Sequence, residues 1–492
     1  MSNSTLAMRL LQPGRLPNSA ESFDRAYPIL AALRRNNARQ VNECEQTWRL
    51  FDAFARNVVD RVALALDESG FENPAQPLNA ILLEACRRKI FSLSLPRSLG
   101  GQGVSLLALS VGLERLACSC LGVANLLAVH GLALGMIGAV GALTQLRQIA
   151  TRVVEGERRG QPYLLSTAAT EPEAGTDLED SELLSRALLQ SEAVPVSNGW
   201  KINGTKIFVS NGSIASAYVI IVPTDRSRPV ESLSAFLVES ECPGVKVGRV
   251  EHKLGQRACP AAELNFFNCV VPESHKLNQQ SVAGTALDLV LGASRGTVAA
   301  FGSGAAWGVL RDCLRLCRHQ GPTAASVTQE ESSQALLSQM WQNARLARSS
   351  YLEAVLANSC FGLVSLMEIA ILRQLDRVVP PGFGAWATSL RLFESPLLDR
   401  EARRWLDHLS AEQIASASAH ASAAKIACSR LALENCALAS ELLGPVATVE
   451  STGLPKRWRD ARLLAIYEGT NELNALDVYK KGVLHESETG LG

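Results

Sequence analysis

Residues 200–209 read Trp200-Lys201-Ile202-Asn203-Gly204-Thr205-Lys206-Ile207-Phe208-Val209. Apolar and polar residues alternate here with a period of two, which is typical of β-strands. Asn203-Gly204 lies in the middle, and an Asn-Gly pair flanked by alternating residues is the strongest short signal of a β-hairpin. We therefore predict two strands joined at Asn203-Gly204.

Similar short runs follow this stretch. They are residues 217–222, 234–238, 245–250 and 262–267. Several short strands separated by turn residues are typical of an all-β unit. The pattern begins near Tyr163, and we predict a middle antiparallel β domain over residues 161–280.

The residues before this domain have a helical pattern. Apolar residues recur at spacings of three and four in residues 30–41, 48–66 and 78–92, the period of an amphipathic helix. Ser105 is placed to cap a helix that continues to Ala117. The apolar run 121–140 contains His130 and several glycines, which indicates a buried helix pair and not a membrane span. We predict an N-terminal helical domain over residues 23–160, after a flexible tail of residues 1–22.

The helical pattern returns at residue 281. Residues 285–318 are rich in Gly and Ala, and residues 412–443 end at Gly444, a residue type typical of helix C-caps. Long helices of this kind predict a C-terminal four-helix bundle over residues 281–492, with an insertion at about 361–406. The predicted fold class is mostly α with a central β domain.

Charge and cysteine content exclude several classes of function. With 48 basic and 48 acidic residues, the chain has no net field that would attract nucleic acid or an anionic membrane. The 12 cysteines form no Cys-x-x-Cys pair, which predicts reduced thiols in a cytoplasmic protein. Cys313 and Cys317 share a helix face without a histidine partner, so no metal site is predicted. The absence of acidic residues from residues 1–18 leaves an organelle matrix as the alternative location.

The candidate catalytic residue lies in the stretch Ile466-Tyr467-Glu468-Gly469-Thr470. Gly469 would let the backbone approach a ligand closely, and Thr470 is placed to cap a following helix. Apolar Ile466 and Tyr467 would take the Glu468 carboxylate partly out of water, which suits a general base. A glutamate in such a turn is also commonly an exposed loop residue, so its role depends on the rest of the chain.

Five ordered motifs occur along the chain. They are residues 170–177 (Thr-Glu-Pro-Glu-Ala-Gly-Thr-Asp), 203–211 (Asn-Gly-Thr-Lys-Ile-Phe-Val-Ser-Asn), 253–257 (Lys-Leu-Gly-Gln-Arg), Val271-Pro272, and Arg459-Asp460-Ala461-Arg462 followed by 466–470. Together they resemble the signatures of the acyl-CoA dehydrogenase family, over about residues 89–308 and 414–480. The resemblance implies an FAD-dependent enzyme that dehydrogenates an acyl thioester between its α and β carbons.

The resemblance also implies site roles. Glu468 would remove the α proton, and its N–H, together with a flavin hydroxyl, would bind the thioester carbonyl oxygen. Because no side chain accepts a hydride, a flavin is needed. Implied FAD contacts are Thr170, Thr176, Phe208, Ser210, Arg318, Gly444 and Thr470. Implied substrate contacts are Thr176, Ser294, Arg295, Tyr467 and Gly469.

The bundle helix offers no rival base. Some family members carry the base just before an arginine of this helix, and here that position is Ser294, followed by Arg295. Arg295 would either help to position Glu468 as part of the catalytic site or lie on the helix surface. Both alternatives are open from the sequence.

The chain departs from the family pattern at three places. A partner-subunit motif is reduced to Arg318-His319-Gln320-Gly321, a Gly-Gly pair is Gly444-Pro445, and an aromatic-Asp pair that touches coenzyme A is Leu291-Gly292. The contacts to the adenosine ends of FAD and coenzyme A therefore differ. Either the insertion supplies substitutes, or the substrate is an acyl group on a carrier protein.

Two features of the sequence each allow two interpretations. Cys259 replaces a family Ser/Thr position and is interpreted as a buried structural thiol, not a catalytic one. Small residues of the first bundle helix would either give room for a bulky acyl group or let helices pack closely, and we favour packing. These residues are Gly292, Ala293, Gly296, Gly302 and Gly304.

The resemblance implies an electron-transferring flavoprotein as electron acceptor and a homo-oligomer, either dimer or tetramer. It leaves rival activities. An acyl-CoA oxidase or a flavin monooxygenase would keep the fold and the flavin. A degenerate member would instead serve as a non-catalytic binding protein or partner subunit. The acyl chain length does not follow from the sequence.

Overall fold

The computed structural model describes residues 23–68, 75–319, 330–361 and 410–484. The predicted tail over residues 1–22 and, apart from Phe361, the predicted insertion over residues 361–406 lie outside the described residues. Helices form the first and last parts of the described chain and strands form its middle, so the predicted fold class, mostly α with a central β domain, is confirmed.

The first part of the chain is helical. Its helices are α1 (Phe23–Ala26), α2 (Pro28–Leu33), α3 (Ala38–Phe54), α4 (Asp60–Glu68), α5 (Ala75–Arg87), α6 (Leu106–Ala117), α7 (Leu121–Ala139) and α8 (Leu143–Arg159). Ser105 caps α6 as predicted, because its hydroxyl oxygen accepts a hydrogen bond from the Ala108 N–H at 3.3 Å. A π-helical turn (Ala55–Val59) joins α3 to α4.

The apolar run predicted as a helix pair is one helix, α7. Its glycines do not break it, since an isolated glycine costs a helix only about 1 kcal/mol. By length and composition α7 could cross a membrane, yet 72% of its most apolar stretch is buried inside the protein. Its His130 accepts a hydrogen bond from the Leu165 N–H and bonds the Phe91 carbonyl, both at 3.1 Å. Burial lowers the pKa of His130 to about 4, so the ring is neutral and packed as part of the core.

The middle of the chain forms two sheets. Its strands are β1 (Leu165–Ala168), β2 (Glu192–Val196), β3 (Gly199–Ser210), β4 (Ala217–Pro223), β5 (Leu233–Glu239), β6 (Val245–Val250) and β7 (Ala261–Val271), with short helices α9 (Ser181–Leu184) and α10 (Pro229–Ser232) between them. The strand orders are β1-β4-β5 and β2-β3-β7-β6. The prediction of a wholly antiparallel domain is wrong at one pair, because β1 runs parallel to β4. A parallel pair needs a long connection, which alternation alone does not reveal.

The predicted hairpin at Asn203-Gly204 is wrong. β3 passes through this pair, and the tight turn is Ser197-Asn198, between paired residues Val196 and Gly199. Gly204 instead marks a shift of register against β7. Its φ is +137°, and a Cβ there would lie 2.2 Å from the Ser191 hydroxyl oxygen. This glycine permits a close approach inside a strand, the second common use of a strand glycine.

The last part of the chain is again helical. Its helices are α11 (Thr285–His319), α12 (Glu331–Phe361), α13 (Ala411–Leu443), α14 (Leu454–Arg462) and α15 (Asn471–Val478). The long helices α11, α12 and α13 pack against one another, and α15 packs on α13. Gly444 ends α13 as predicted, with φ +54° and its N–H bonded to the Ser440 carbonyl. Within the described part of the chain the predicted bundle therefore consists of three long helices.

Three of the small residues of α11, all glycines, serve helix packing. A Cβ on Gly302 would lie 2.7 Å from the Cys428 backbone, and one on Gly304 would lie 2.4 Å from the Glu114 carbonyl oxygen. A Cβ on Gly292 would lie 2.7 Å from the Asn358 side chain. The favoured interpretation is therefore confirmed for these glycines, because none of them has space beside it for a ligand.

The N-terminal and C-terminal helices share a core. Residues from both ends of the chain meet in one apolar cluster; they include Phe23, Trp48, Val111, Ala300 and Val355. Beside it, the buried Glu114 carboxylate of α6 accepts hydrogen bonds from the Tyr351 hydroxyl (2.7 Å) and Arg348 (2.9 Å) of α12. Tyr27 and Ser303 donate to the same carboxylate. The first helices are therefore fixed to the bundle by polar contacts as well as by apolar ones.

Candidate active site

Glu468 lies in a strained turn between two short helices. The chain leaves a 3₁₀ turn (Leu463–Ala465), and Glu468 and Gly469 then take φ values of +55° and +75°. A positive φ is uncommon for a residue other than glycine. Thr470 caps α15 as predicted, accepting a hydrogen bond from the Leu473 N–H at 3.3 Å. The cap and the paired left-handed residues together aim Glu468 away from α15.

Contacts at both ends hold Glu468 in place. The Ser294 hydroxyl of α11 donates to its carboxylate Oε2 at 2.6 Å. Its main-chain carbonyl accepts from Asn474 Nδ2 at 3.2 Å and from Arg295 Nε at 3.4 Å. The side chain is half-buried. The structure thus brings together the predicted residues Glu468, Ser294 and Arg295.

Arg295 is a buried residue and not a helix-surface arginine. Its side chain is 2% exposed. Nη1 lies 3.0 Å from Asp477 Oδ2, and Nη2 lies 2.9 Å from Glu179 Oε2. Two carboxylates on different segments therefore fix the guanidinium, which in turn contacts the carbonyl of Glu468. In this structure Arg295 contacts the backbone of Glu468 and makes its ion pairs with Asp477 and Glu179.

Two further ionisable groups surround this arginine. Burial raises the pKa of Glu179, and the nearby Glu468 carboxylate raises it further against the opposing effect of Arg295. Lys425 of α13 is fully buried and donates to the Gly469 carbonyl. Burial lowers the pKa of Lys425 to about 8. The Glu468 turn therefore packs against a buried cluster of acidic and basic side chains.

A second pair of motifs meets at Gln256. Its Nε2 donates to the Asp460 carbonyl at 3.0 Å and to the Tyr467 hydroxyl at 3.3 Å, and its Oε1 accepts from Asn125 Nδ2 at 3.0 Å. A Cβ on the preceding Gly255 would lie 2.4 Å from the backbone of residue 459. The motifs at 253–257 and 459–462 are therefore in direct backbone contact.

A third pair of motifs is joined by an ion pair. Lys206 of β3 lies 2.8 Å from Glu171, and both side chains are almost fully buried, at 1% and 0% exposure. Lys206 also donates to the Ala169 carbonyl at 2.7 Å. The other Glu171 oxygen accepts from the N–H groups of Gln190 (2.7 Å) and Ser191 (3.1 Å). The ion pair fixes residues 169–171 to β3.

The residues predicted to contact the flavin ring lie on and beside β3. The Thr170 carbonyl accepts from the Ile207 N–H at 2.9 Å. Phe208 has φ +54° and is 57% exposed, while Ser210 ends the strand. Thr176 begins the 3₁₀ turn (Thr176–Glu179) that carries Glu179 to Arg295. The segments that hold Thr170 and Phe208 are therefore adjacent, and Thr176 is linked to the Glu468 cluster.

Two predicted cofactor contacts lie at helix ends. Arg318 is exposed near the end of α11 and Gly444 follows α13. Among the described residues, neither makes a hydrogen bond with the Glu468 cluster.

Cys259 is fully buried and donates to the Asn211 side chain at 3.4 Å, and burial raises its pKa. The predicted burial of this thiol is confirmed.

A cavity of about 740 Å³ begins at Glu468. Tyr467, Ser294 and Ala293 line it beside this carboxylate, and residues of α6, α7 and α11 form its walls. Pockets for small ligands commonly measure roughly 300–1,000 Å³. In the described ranges, no group of three or more His, Cys, Asp or Glu side chains is placed to hold a metal ion. The site therefore offers a positioned carboxylate next to space for a ligand.

Comparison with known proteins identifies the family. Models for the N-terminal, middle and C-terminal domains of acyl-CoA dehydrogenases match residues 42–157, 166–269 and 398–483, in this order. The chain belongs to the acyl-CoA dehydrogenase family. The predicted resemblance and the predicted class of enzyme, an acyl-CoA dehydrogenase-type oxidoreductase, are confirmed.

Named relatives of this acyl-CoA dehydrogenase family member are distant. It is 25% identical over 389 residues to a mitochondrial short-chain specific acyl-CoA dehydrogenase of Mus musculus, covering 79% of this chain and 78% of the relative. It is 28% identical over 427 residues to the cyclohex-1-ene-1-carbonyl-CoA dehydrogenase of Geobacter metallireducens, covering 86% and 93%.

Solved structures share the fold. Butyryl-CoA dehydrogenase from Megasphaera elsdenii superposes with a TM-score of 0.69 at 21% identity, covering 89% of this chain and 97% of that one. A structure described as the FAD complex of PigA superposes with a TM-score of 0.67 at 19% identity, covering 90% and 98%. At these identities the likeness establishes the fold alone.

Several residues of the cluster escaped the sequence analysis. They are Glu179, Lys425, Asn474 and Asp477. Only Lys425 carried a signal, since it is a lone charge in the run Ala424-Lys425-Ile426 of a helix rich in Ala and Ser. A charge on such a face is either exposed or paired when buried. Glu179 and Asp477 pair with Arg295 across the fold, and Asn474 donates to carbonyls four to six residues earlier in the chain. None of these three residues belongs to a recognisable sequence pattern.

Proposed function

We propose that this protein is an FAD-dependent acyl-CoA dehydrogenase in which Glu468 removes the α proton of an acyl thioester. The observation that carries this proposal is the Glu468 carboxylate, fixed by Ser294 at 2.6 Å and lining a cavity of about 740 Å³. A base must be held within reach of the proton that it removes. The family match supports the same reaction class.

The residues present fit a flavin at its ring end. Phe208 and Ile466 are large apolar side chains that are 57% and 54% exposed, one in each of two family motifs. An aromatic side chain held out by a positive φ offers a flat surface to a planar ligand. The hydroxyl groups of Thr170 and Ser210, which the family resemblance implies as flavin contacts, would add polar groups to this surface. A bound FAD would supply the hydride acceptor for the β carbon, which no side chain can provide.

This chain's own residues would prepare the α carbon for reaction. Ser294 orients the Glu468 carboxylate, while Asn474 and Arg295 fix the backbone of the turn. The Glu468 N–H would donate to the thioester carbonyl oxygen, where negative charge develops, and a donor of this kind contributes about 3 kcal/mol. The pre-formed turn means that these groups need no rearrangement when substrate arrives.

The adenosine ends of cofactor and substrate differ from the family pattern. Pro445 has no N–H to offer where the family has a second glycine, and Arg318 is exposed at the end of α11. We propose that the protein is a homo-oligomer whose partner subunit completes this end. We also propose that an electron-transferring flavoprotein accepts the electrons.

The proposal is tested by Glu468→Gln with an anaerobic absorbance scan before and after addition of acyl-CoA thioesters. Wild-type protein should contain a flavin that bleaches with at least one thioester. The variant should keep the flavin and lose bleaching by a factor of about 10³ or more, the upper range of one lost proton-transfer group. Glu472→Gln, an exposed glutamate of the same stretch, is the matched control and should bleach like wild type.

Other results would select a rival function. Equal bleaching in wild type and Glu468→Gln would remove Glu468 as the base. Rapid reoxidation with hydrogen peroxide under air would indicate an oxidase. A preparation that contains no flavin and binds none when supplied would indicate a non-catalytic subunit.

A further inference from the structure

The cavity at Glu468 has more space than a short acyl group needs. Its middle is apolar; the wall residues include Leu109, Leu113, Leu132, Val298 and Phe301. Its volume of about 740 Å³ lies in the upper half of the usual range for small-ligand pockets. A four-carbon acyl group would leave most of these wall atoms without a contact, which forfeits their dispersion attraction.

The space comes from one face of α7. Ala128, Gly131, Gly135 and Gly138 all line the cavity, at spacings of three and four that place them on the same side of the helix. A Cβ added to Gly131 or to Gly138 would have no heavy atom within 4 Å. These two positions thus face open space, unlike the α11 glycines, which are packed against backbone or side chains. The missing side chains of α7 set the width of the cavity.

The end of the cavity on α3 is polar. Its wall there includes Asn37, Arg39, Asn42 and Gln46, which are exposed, and half-buried Glu43. The Glu43 carboxylate accepts from the Ser105 N–H at 2.6 Å. The Arg39 guanidinium makes no ion pair with any described residue. An acyl chain that filled the cavity would place its last carbon among these polar groups. A methyl end would gain little binding energy there, whereas a carboxylate end could pair with the Arg39 guanidinium.

We propose that the substrate is the thioester of a long acyl chain that fills the cavity along α7 and ends in a carboxylate beside Arg39. This inference rests on the proposed function, since it names the substrate class of the same site. Gly131 and Gly138 determine the accepted chain length, and Arg39 determines the preference for the charged end.

The experiment compares butyryl-CoA, dodecanoyl-CoA and 11-carboxyundecanoyl-CoA by kcat/KM for flavin reduction. Each buried methylene contributes about fourfold. The eight further methylenes of the two twelve-carbon thioesters should therefore raise kcat/KM over that of butyryl-CoA by about 10⁴-fold or more if all are buried, and by about 100-fold or more if half of them are. The carboxylate should add about twofold to fivefold over the methyl end, as for an exposed ion pair.

Two variants assign these effects to residues. Gly131→Leu should lower kcat/KM for both long thioesters while leaving butyryl-CoA within about twofold; Gly138→Leu repeats the test if the first variant does not keep its flavin. Arg39→Gln should remove the preference for the carboxylate end and leave dodecanoyl-CoA unchanged. Arg35→Gln, an exposed arginine that does not line the cavity, should change neither.

The outcomes separate the inference from the function on which it rests. If no thioester reduces the flavin, the proposed function fails. If butyryl-CoA is reduced best, or if Gly131→Leu and Gly138→Leu reduce all thioesters equally, the function stands and the long-chain inference is wrong. If Arg39→Gln and Arg35→Gln behave alike, the carboxylate end is wrong.

Discussion

Replacing Lys206 by methionine should destabilise the protein strongly. In the wild type, Lys206 lies 2.8 Å from the Glu171 carboxylate, and both side chains are almost fully buried. Methionine keeps the side-chain volume but leaves the buried Glu171 carboxylate without its cation. Glu171 would retain the N–H groups of Gln190 and Ser191. Removing one member of a buried pair costs about 3–5 kcal/mol, and we expect a loss of this size in the free energy of unfolding at pH 7.

The loss should depend on pH in a defined direction. In the wild type, burial alone would raise the pKa of Glu171, but Lys206 and the two N–H donors lower it. The stability that this lowered pKa contributes is fully present above the pKa of Glu171 in the unfolded chain. It is lost as the pH falls through the lower pKa that Glu171 has in the folded protein. In the variant, burial should raise the folded pKa above the unfolded one. The destabilisation should therefore be largest at neutral pH and shrink as the pH falls and the stranded carboxylate takes up a proton.

Urea unfolding at pH 7 and pH 5 measures both effects. Glu171→Gln/Lys206→Met should recover most of the loss, because it removes the charge and keeps acceptors for the two N–H groups. Arg228→Met is the control: its partner is Asp225, their side chains are 70% and 37% exposed, and the change should be about 0–1 kcal/mol. A Lys206→Met variant within 1 kcal/mol of wild type, or a double variant no more stable than the single one, would refute the reasoning.

Three other substitutions test separate parts of the structure. Gly469→Ala places a Cβ 2.6 Å from Glu179 Oε2 at a φ of +75°. It should lower the free energy of unfolding by about 1–3 kcal/mol more than a strain-free change, and it should impair flavin reduction. Gly453→Ala, at a φ of +81° with open space beside it, measures the cost of the backbone strain alone. Since Lys425 has a pKa lowered to about 8 from 10.5, the folded state binds fewer protons than the unfolded state between these values and stability should rise with pH there; Lys425→Met should reduce this slope, and parallel pH curves would contradict the buried lysine. Gly131→Ala adds a methyl group to a helix interior with no atom within 4 Å, so it should raise the free energy of unfolding by about 0.5–1 kcal/mol, and a loss in urea unfolding would show that the space beside α7 is filled.

Features that depend on a few neighbouring residues could be predicted from the sequence. Ser105 and Thr470 are N-caps and Gly444 is a C-cap because a cap requires only the right side chain next to the first or last turn. Period-two alternation located β4 to β7 in the same way. Because these signals depend only on neighbouring residues, an error in one of them affects only a short stretch of the predicted structure.

Features that depend on chain topology could not be predicted. Two of the chain's three Asn-Gly pairs, Asn198-Gly199 and Asn203-Gly204, have similar alternating neighbours, and pairing with β7 decides which of these two lies inside a strand. Arg295 meets Glu179 116 residues earlier in the chain. No local pattern specifies that contact, which arises only when the middle domain packs on α11.

The core shared by the two ends of the chain has a consequence for synthesis. Arg348 of α12 donates to the Ala26 carbonyl, 322 residues earlier in the chain, and Phe23 and Trp48 pack in the same cluster as Val355. A ribosome adds roughly 5–20 residues per second, so about a quarter of a minute to a minute separates these partners. During that interval α6 can cover only part of the apolar sides of α1 and α3, because Ala300 and Val355 of the same cluster have not yet been synthesised. We expect the nascent chain to need a chaperone at its N-terminal segment until α12 has emerged from the ribosome.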